Sequence, residues 1–201
     1  MNLRPWYRVR QFWGALGWGA KPVEEAVLST HLNAAQIALF QRMCAAEQRH
    51  ALAVLRTLQR GEEEVASQFN GSQVPAAQSR QHHAAQAVVV EPALAQAALL
   101  HDTGKVGGRI QLWHRVSTVL LHALYPALLH RLARNEPHSW RYPFFVLLYH
   151  AELSAKLVAG AGTDALAVAL IRAHHTAPER SGLDAQGRAL LAALISADEV
   201  N

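Results

Sequence analysis

Apolar residues recur at intervals of three and four along most of this chain, and Ala and Leu dominate them. Such spacing puts apolar side chains on one face of an α-helix, whereas a half-buried strand alternates strictly. Stretches with the alternation of a strand are nearly absent. The pattern therefore predicts an all-α fold, a single multi-helix bundle of roughly six to eight helices.

Gly, Pro and polar clusters divide this pattern into segments. Residues 34–60 predict one helix that Gly61 ends, and the composition of 61–79 predicts an exposed loop. Residues 80–90 fit either a helical extension or a short extended piece. The next helix is predicted to begin with Pro92 in its first turn and to end at Asp102, with Gly104 as a left-handed cap. Further helices are predicted over 111–124, 127–134, 143–160, 163–175 and 185–199.

The composition limits the class of protein. Of 201 residues, 51% are hydrophobic and 17% are charged, which excludes a disordered chain and allows a substantial core. The net charge of +4 suits anionic ligands but is too mild to predict a nucleic-acid partner. Cys44 is the only cysteine, so the chain cannot form an internal disulfide. Without a signal peptide or an apolar span, a cytoplasmic location is expected.

We divide the chain into a helical N-terminal extension, residues 1–33, and one domain, residues 34–201. In the extension, Trp6, Val9, Trp13 and Leu16 fall on one helical stripe near several arginines. A basic amphipathic helix of this kind can lie on a membrane surface. Because the stripe is short and broken by Gly, packing against the domain or in a homodimer is the favoured interpretation.

Potential metal ligands stand where apolar helices end or turn polar. The stretch AALLHDTGK, residues 97–105, runs an Ala- and Leu-rich helix into His101 and Asp102. Buried polar groups without partners cost about 1–3 kcal/mol, so we expect such groups to satisfy one another around a metal ion. The alternative is a set of hydrogen-bonded core residues and helix caps. Similar apolar surroundings hold His50, His150, His174, His175 and Asp198. The remaining histidines have no ordered relation to acidic residues and are interpreted as surface or core residues.

The ligand types narrow the choice of metal. Imidazole with carboxylate suits Fe, Mn, Co, Ni or Zn, whereas Mg prefers more oxygen ligands. A closed structural zinc site is disfavoured because no thiolate takes part. We expect an open site for one or two divalent transition-metal ions.

The order of these residues resembles a known signature. His50, then His101–Asp102, then Asp198 is similar to the H…HD…D motif of the HD superfamily of metal-dependent phosphohydrolases. AEQRHALAVLRTL resembles the family's first-His helix, and ALLHDTGKV resembles its HD-x-G-K turn. YHAELSAKLVAGAG and ALIRAHH resemble later elements of the HD-GYP branch. The resemblance spans roughly residues 34–200.

The resemblance implies roles for individual residues. His50, His101, Asp102 and Asp198 would hold a first metal ion, and Asp102 would bridge to a second. The second ion would be held by His150, His174 and His175. Asp102 and Lys105 would be catalytic, with Lys105 contacting a substrate phosphate or steadying the transition state. Arg109, from the same turn, is a further candidate for binding the phosphate.

The chain also departs from the HD-GYP branch. Ala151 and Ser154 stand where the branch has Pro and Gly, and HHTAPERSG lacks the DGxGYP continuation. These departures argue against cyclic-di-GMP as the substrate. We predict a phosphohydrolase that acts on a nucleotide or related small phosphate ester through a metal-activated water. The alternative is an HD-type regulatory module that binds a nucleotide without hydrolysing it. A nuclease is disfavoured by the mild charge and the lack of a basic, aromatic groove pattern.

Overall fold

Nine α-helices and two 3₁₀ turns form the part of the chain that this computed structural model describes, residues 25–70 and 90–201, and no strand occurs there. The all-α prediction is thereby confirmed. The nine helices of this described part exceed the expected six to eight by one. The helices are α1 (Glu25–His31), α2 (Ala34–Gln41), α3 (Ala45–Asn70), α4 (Pro92–Leu100), α5 (Leu112–Leu124), α6 (Pro126–Leu132), α7 (Tyr142–Ala159), α8 (Ala165–Ala173) and α9 (Ala185–Val200). The 3₁₀ turns are Thr103–Lys105 and Pro178–Arg180.

The single helix predicted over residues 34–60 is wrong, because the chain breaks into α2 and α3 around Met43. The Gln48 side chain explains how the break is tolerated without Gly or Pro. Its Nε2 donates to the carbonyls of Gln41 and Met43 at 3.2 and 2.9 Å, which satisfies acceptors that a continuous helix would use itself. Buried Phe40 and Met43 fix the turn on the core.

Gly61 does not end α3, so the loop predicted to begin there is also wrong over residues 61–70. An isolated Gly in a helix costs only about 1 kcal/mol relative to Ala, and a long helix tolerates it. Residues 71–89, which include the remainder of the predicted loop and the ambiguous segment, lie outside the described residues. The Trp-containing stripe of residues 1–24 lies outside them as well.

Helix α4 lies at the centre of the core and packs against α3, α8 and α9. Pro92 occupies its first turn, and Glu91 accepts a hydrogen bond from the backbone N–H of Leu94 at 2.8 Å, which caps the helix start. Every residue from 97 to 104 is buried. The helix therefore delivers the two residues that follow it, His101 and Asp102, into the interior of the bundle. Leu28 and Leu32 belong to the same hydrophobic core.

Gly104 is not the left-handed cap that the sequence predicts, because positive φ among the described glycines occurs only at Gly162 and Gly182. Its role is to leave space. The 3₁₀ turn packs directly on α7, and an added Cβ at Gly104 would meet the backbone carbonyl of His150 and lie 2.6 Å from the backbone nitrogen of Ser154. The lack of a side chain thus lets the turn that carries Asp102 rest on α7.

None of the described helices combines the length and hydropathy needed to span a membrane.

Candidate metal centre

Three side chains from different parts of the chain form a first ligand triple: His50 on α3, His101 after α4, and Asp198 on α9. Their ligand atoms all lie within 4.8 Å of one another. His50 Nε2 is 2.7 Å from Asp198 Oδ1, and His101 Nε2 is 3.6 Å from the same oxygen. The His50 and Asp198 side chains are 21% and 22% exposed, whereas that of His101 is 2% exposed. This triple therefore runs from the core to the solvent.

A second triple consists of His150 on α7 and of His174 and His175, which follow α8. The Nε2 atom of His150 lies 3.3 Å from Nε2 of His174 and 2.8 Å from Nε2 of His175. His150 and His174 are buried, and His175 is exposed. Three imidazole nitrogens thus converge on one point with no carboxylate among them.

Asp102 belongs to neither triple but lies between them. Its Oδ2 is 3.7 Å from His101 Nε2, and its Oδ1 is 3.5 Å from His150 Nε2. The imidazole rings of His101 and His174 have centroids 5.3 Å apart, so the two triples adjoin. A carboxylate whose two oxygens face two sets of ligands has the arrangement needed to bridge two ions.

Lys105 contacts this cluster and Arg109 does not. Lys105 Nζ lies 2.6 Å from Asp102 Oδ2, and its side chain is 13% exposed. Arg109 is exposed in the turn before α5 and has φ of 44°. Among the described residues, the hydrogen bonds and ion pairs of the cluster include Lys105 but not Arg109. A direct role for Arg109 stays a prediction.

The backbone sets the orientation of three imidazoles in the same way. The Nδ1 atoms of His101, His150 and His174 lie 3.0, 2.9 and 2.6 Å from the carbonyl oxygens three residues earlier, those of Ala98, Leu147 and Ile171. A carbonyl oxygen only accepts, so each Nδ1 carries the hydrogen. In a neutral ring, Nε2 then presents its lone pair to the centre of the cluster. For His150 and His174, two lone pairs face each other, an arrangement that a shared cation relieves.

His101 lies where the surroundings most favour a cation. Its buried Nε2 has no hydrogen-bond partner among the described residues, although such groups are nearly always paired in folded proteins. Burial disfavours its charge, but the carboxylates of Asp102 and Asp198 outweigh burial and raise the pKa of His101 to about 9. A site that holds a proton so strongly at this nitrogen is also favourable for a cation in the same position.

The pKa values of the carboxyl groups and of the other histidines shift in the directions that suit metal ligands. Burial opposes ionisation of Asp102, yet Lys105 and His101 hold the pKa of that carboxyl well below its usual range. The pKa of Asp198 is likewise held well below its usual range: burial again opposes, and the neighbouring His101 and His50 dominate. Burial is the largest cause that lowers the pKa of His174 to about 3, and it also lowers that of His150. His175 is exposed as a whole residue, but its ring lies against those of His150 and His174, and loss of hydration there lowers its pKa to about 4. Ionised carboxylates and neutral imidazoles are the forms that bind metals.

Mild acid is expected to destabilise the chelator-treated protein through His150 and His174. The folded-state pKa of both is below the unfolded value of about 6.5, so the unfolded chain binds more protons in the window beneath that value. The free energy of unfolding therefore decreases as the pH is lowered, by about 1 kcal/mol for each histidine between about pH 7 and pH 5.5. Urea denaturation at both pH values measures the loss. H174Q should reduce it, and H122Q, at an exposed position, should not. Equal stability of the native chain at both pH values would contradict this assignment.

Two residues near the centre have roles that the sequence did not predict. Ser154, noticed only as a departure from the HD-GYP pattern, is fully buried, and its Oγ accepts the Gly104 N–H at 2.8 Å. Glu47 is buried one turn before His50 and accepts from Arg115 of α5 at 2.9 Å. An acidic residue three positions before the ligand, on a helix with a buried face, was the available signal. Both contacts hold ligand-bearing segments against their neighbours.

His114 fits its interpretation as a core histidine. It is buried, its Nδ1 accepts from the backbone N–H of Gln111 at 3.0 Å, and its ring stacks on Trp113. Among the described residues, neither candidate ligand group includes it.

No family model, curated protein or solved structure matches the chain. The centre is therefore characterised by its own side chains: two ligand triples, Asp102 between them, and Lys105 against Asp102.

Proposed function

We propose that this chain is a metal-dependent phosphohydrolase of the HD type that hydrolyses a nucleotide or related small phosphate ester. The observation that carries the proposal is the convergence of two ligand triples on either side of Asp102. Their members come from five separate segments of the chain. Together with Asp102, they are all the residues to which the resemblance gives a metal-binding role. If these residues served only as helix caps or as isolated polar residues of the core, they would not need to lie together.

The donor set fits one or two divalent transition-metal ions. Taken together, the two triples and Asp102 offer histidine nitrogens and carboxylate oxygens. Cys44 is exposed and belongs to neither triple. This nitrogen-rich set favours Fe, Mn, Co, Ni or Zn over Mg. His101 Nε2 forms no hydrogen bond and lies between two carboxylates, and the lone pairs of His150 and His174 face each other; these are the two points at which a cation would be stabilised.

A bound divalent ion would supply Lewis-acid activation of water and neutralisation of charge on the phosphoryl group. The side chains of the chain have separate tasks. Asp102 provides the negative charge that both triples share, and Lys105 neutralises part of it at 2.6 Å. The Lys105 ammonium can donate to a phosphate oxygen that enters beside Asp102, and a charge-assisted bond of this kind both binds and orients the anion. His50 and Asp198, which are partly exposed, mark the side from which a substrate can enter.

Metal analysis joined to a phosphate-release assay tests the proposal. Protein purified without oxygen should contain about one or two transition-metal ions per chain, and it should release phosphate or a nucleotide from at least one member of a panel of mononucleotides and cyclic dinucleotides. Removal of the metal with a chelator should abolish the reaction, and returning Mn or Fe should restore it.

Hydrolysis that persists at the full rate in the metal-free protein would contradict the proposed mechanism. A metal-loaded protein that binds a nucleotide tightly by calorimetry but forms no product across the panel would instead indicate the regulatory module.

A further inference from the structure

The exposed side of α5 and α6 is apolar. On α5, Leu112, Val116, Leu120 and Leu124 follow one another at intervals of four, which places them along one side of the helix, and all four are exposed. The face continues into Tyr125 and Leu128 around the start of α6; Leu124 and Tyr125 are 66% and 63% exposed. Scattered exposed apolar residues are normal, but a contiguous row of this length marks an interaction surface.

Aromatic residues extend this face at the start of α5. Trp113 and Trp140 are both exposed, and the rings of both contact Phe144, with centroids 5.9 and 6.2 Å away. Trp113 donates its indole N–H to Gln111 Oε1 at 2.8 Å, so its polar edge is satisfied while the ring stays accessible. Amphipathic rings of this type are favoured where an apolar layer meets water.

The charged residues around the face are mostly basic. Between residues 103 and 151 the sequence has six Lys or Arg and a single acidic residue, Glu136. Arg115 is paired with Glu47, and Arg141 donates to the carbonyls of Arg131 and Leu132. Arg131 and Arg134 are exposed, and neither forms an ion pair with another described residue. The face therefore presents apolar side chains beside unneutralised guanidinium groups.

This arrangement disfavours a second copy of the chain as the occupant. A two-fold contact pairs a surface with itself, so it would bring the basic groups of two copies near one another, and without acidic groups in the same patch this repulsion lowers the affinity. α5 and α6 contain no Asp or Glu. A surface with negative charge above an apolar layer matches both features at once, and this is the surface of a membrane that contains anionic lipids.

We propose that the α5–α6 face docks the protein on anionic lipid membranes, with the apolar row entering the headgroup boundary and Arg131 and Arg134 meeting lipid phosphates. The docking is peripheral and does not depend on the proposed hydrolytic activity. α5 is the next helix after the turn that carries Lys105, and its Arg115 pairs with Glu47, one turn before His50, so the docked helix contacts a segment of the candidate metal centre.

Vesicle flotation of the full-length protein tests this inference. The protein should float with vesicles of equimolar phosphatidylcholine and phosphatidylglycerol at least tenfold more than with phosphatidylcholine alone, and raised salt should weaken the binding. The double variant L120E/L124E should lower binding at least tenfold. R131A/R134A should lower it roughly 30-fold, at about fivefold for each charge. V200E, at an exposed apolar position on α9, is the matched control and should bind like the native chain.

Circular dichroism and metal content identify variants that retain the native fold. Absence of flotation with the anionic vesicles, or equal flotation of native chain and L120E/L124E, would overturn the inference. A dimer in light scattering that L120E/L124E dissociates, without vesicle binding by the native chain, would also overturn it and assign the face to self-association.

Discussion

Substitution of Asp102 by Asn is expected to lower hydrolysis by about 10³-fold or more and to release most of the bound metal. Asn has nearly the same volume, and its amide oxygen can still accept from Lys105, so the fold should persist. The charge shared by the two triples is lost, however, and removal of one preorganised polar group from an active site costs about 10²–10³-fold by itself. The loss is larger here because Asp102 faces both triples, with its oxygens 3.7 and 3.5 Å from the nearest imidazole nitrogens.

The matched control is E199A. Glu199 is exposed on α9 beside the proposed ligand Asp198, so its removal changes the charge of the same helix without altering the centre. Metal content by mass spectrometry and phosphate release should match the native chain. If D102N retained both its metal and its rate, Asp102 would not be a ligand.

The variant G104A is expected to lower the free energy of unfolding by about 3 kcal/mol or more. An added methyl group would meet the backbone of His150 and Ser154, and backbone atoms of a packed helix cannot move aside as a flexible side chain can. Overpacking of a core costs about 1–3 kcal/mol, and occasionally more. Displacement of the turn would also weaken the hydrogen bond from the Gly104 N–H to Ser154. Urea denaturation of the metal-free protein measures the change.

Gly107 provides the comparison within the same loop. A Cβ added at Gly107 meets nothing within 4 Å, so G107A should change the stability by no more than about 0.5 kcal/mol. Equal stability of the two variants would show that the turn does not rest on α7 as closely as the distances indicate.

The sequence was most informative where helical periodicity and turn residues agreed. The ranges predicted for α5, α7 and α9 differ from the structure by at most one residue at each end. Pro126 follows α5, Pro143 and Gly160 bound α7, and Asp184 precedes α9. Apolar residues of α7 and α9 face the core over several turns, whereas those of α5 keep the helical period although they are exposed. The same periodicity placed His101 and Asp102 at the end of a helix, which is where a buried helix can present polar side chains.

Features that depend on distant contacts were not predictable from local patterns. The break around Met43 depends on the Gln48 amide, which satisfies two carbonyl groups, and no local pattern distinguishes this Gln from an ordinary helical one. The sequence predicted Gly104 as a helix cap. Glycine is required there because α7 packs closely against it, and the contacted Ser154 is 50 residues away in the chain. The position of Asp102 between the triples is likewise a result of tertiary packing.

Main-chain carbonyls accept hydrogen bonds from the Nδ1 atoms of His101, His150 and His174, so helical geometry sets the orientation of these imidazole rings. Many metal sites assign that task to outer side chains, each of which a single substitution can remove. Here the three positions that supply the carbonyls can exchange their side chains for others of similar size and helical preference without turning a ring. Substitutions at Ala98, Leu147 and Ile171 would therefore leave the three imidazole rings in their orientations. Directed evolution can vary the packing at these positions while the donor atoms stay aligned.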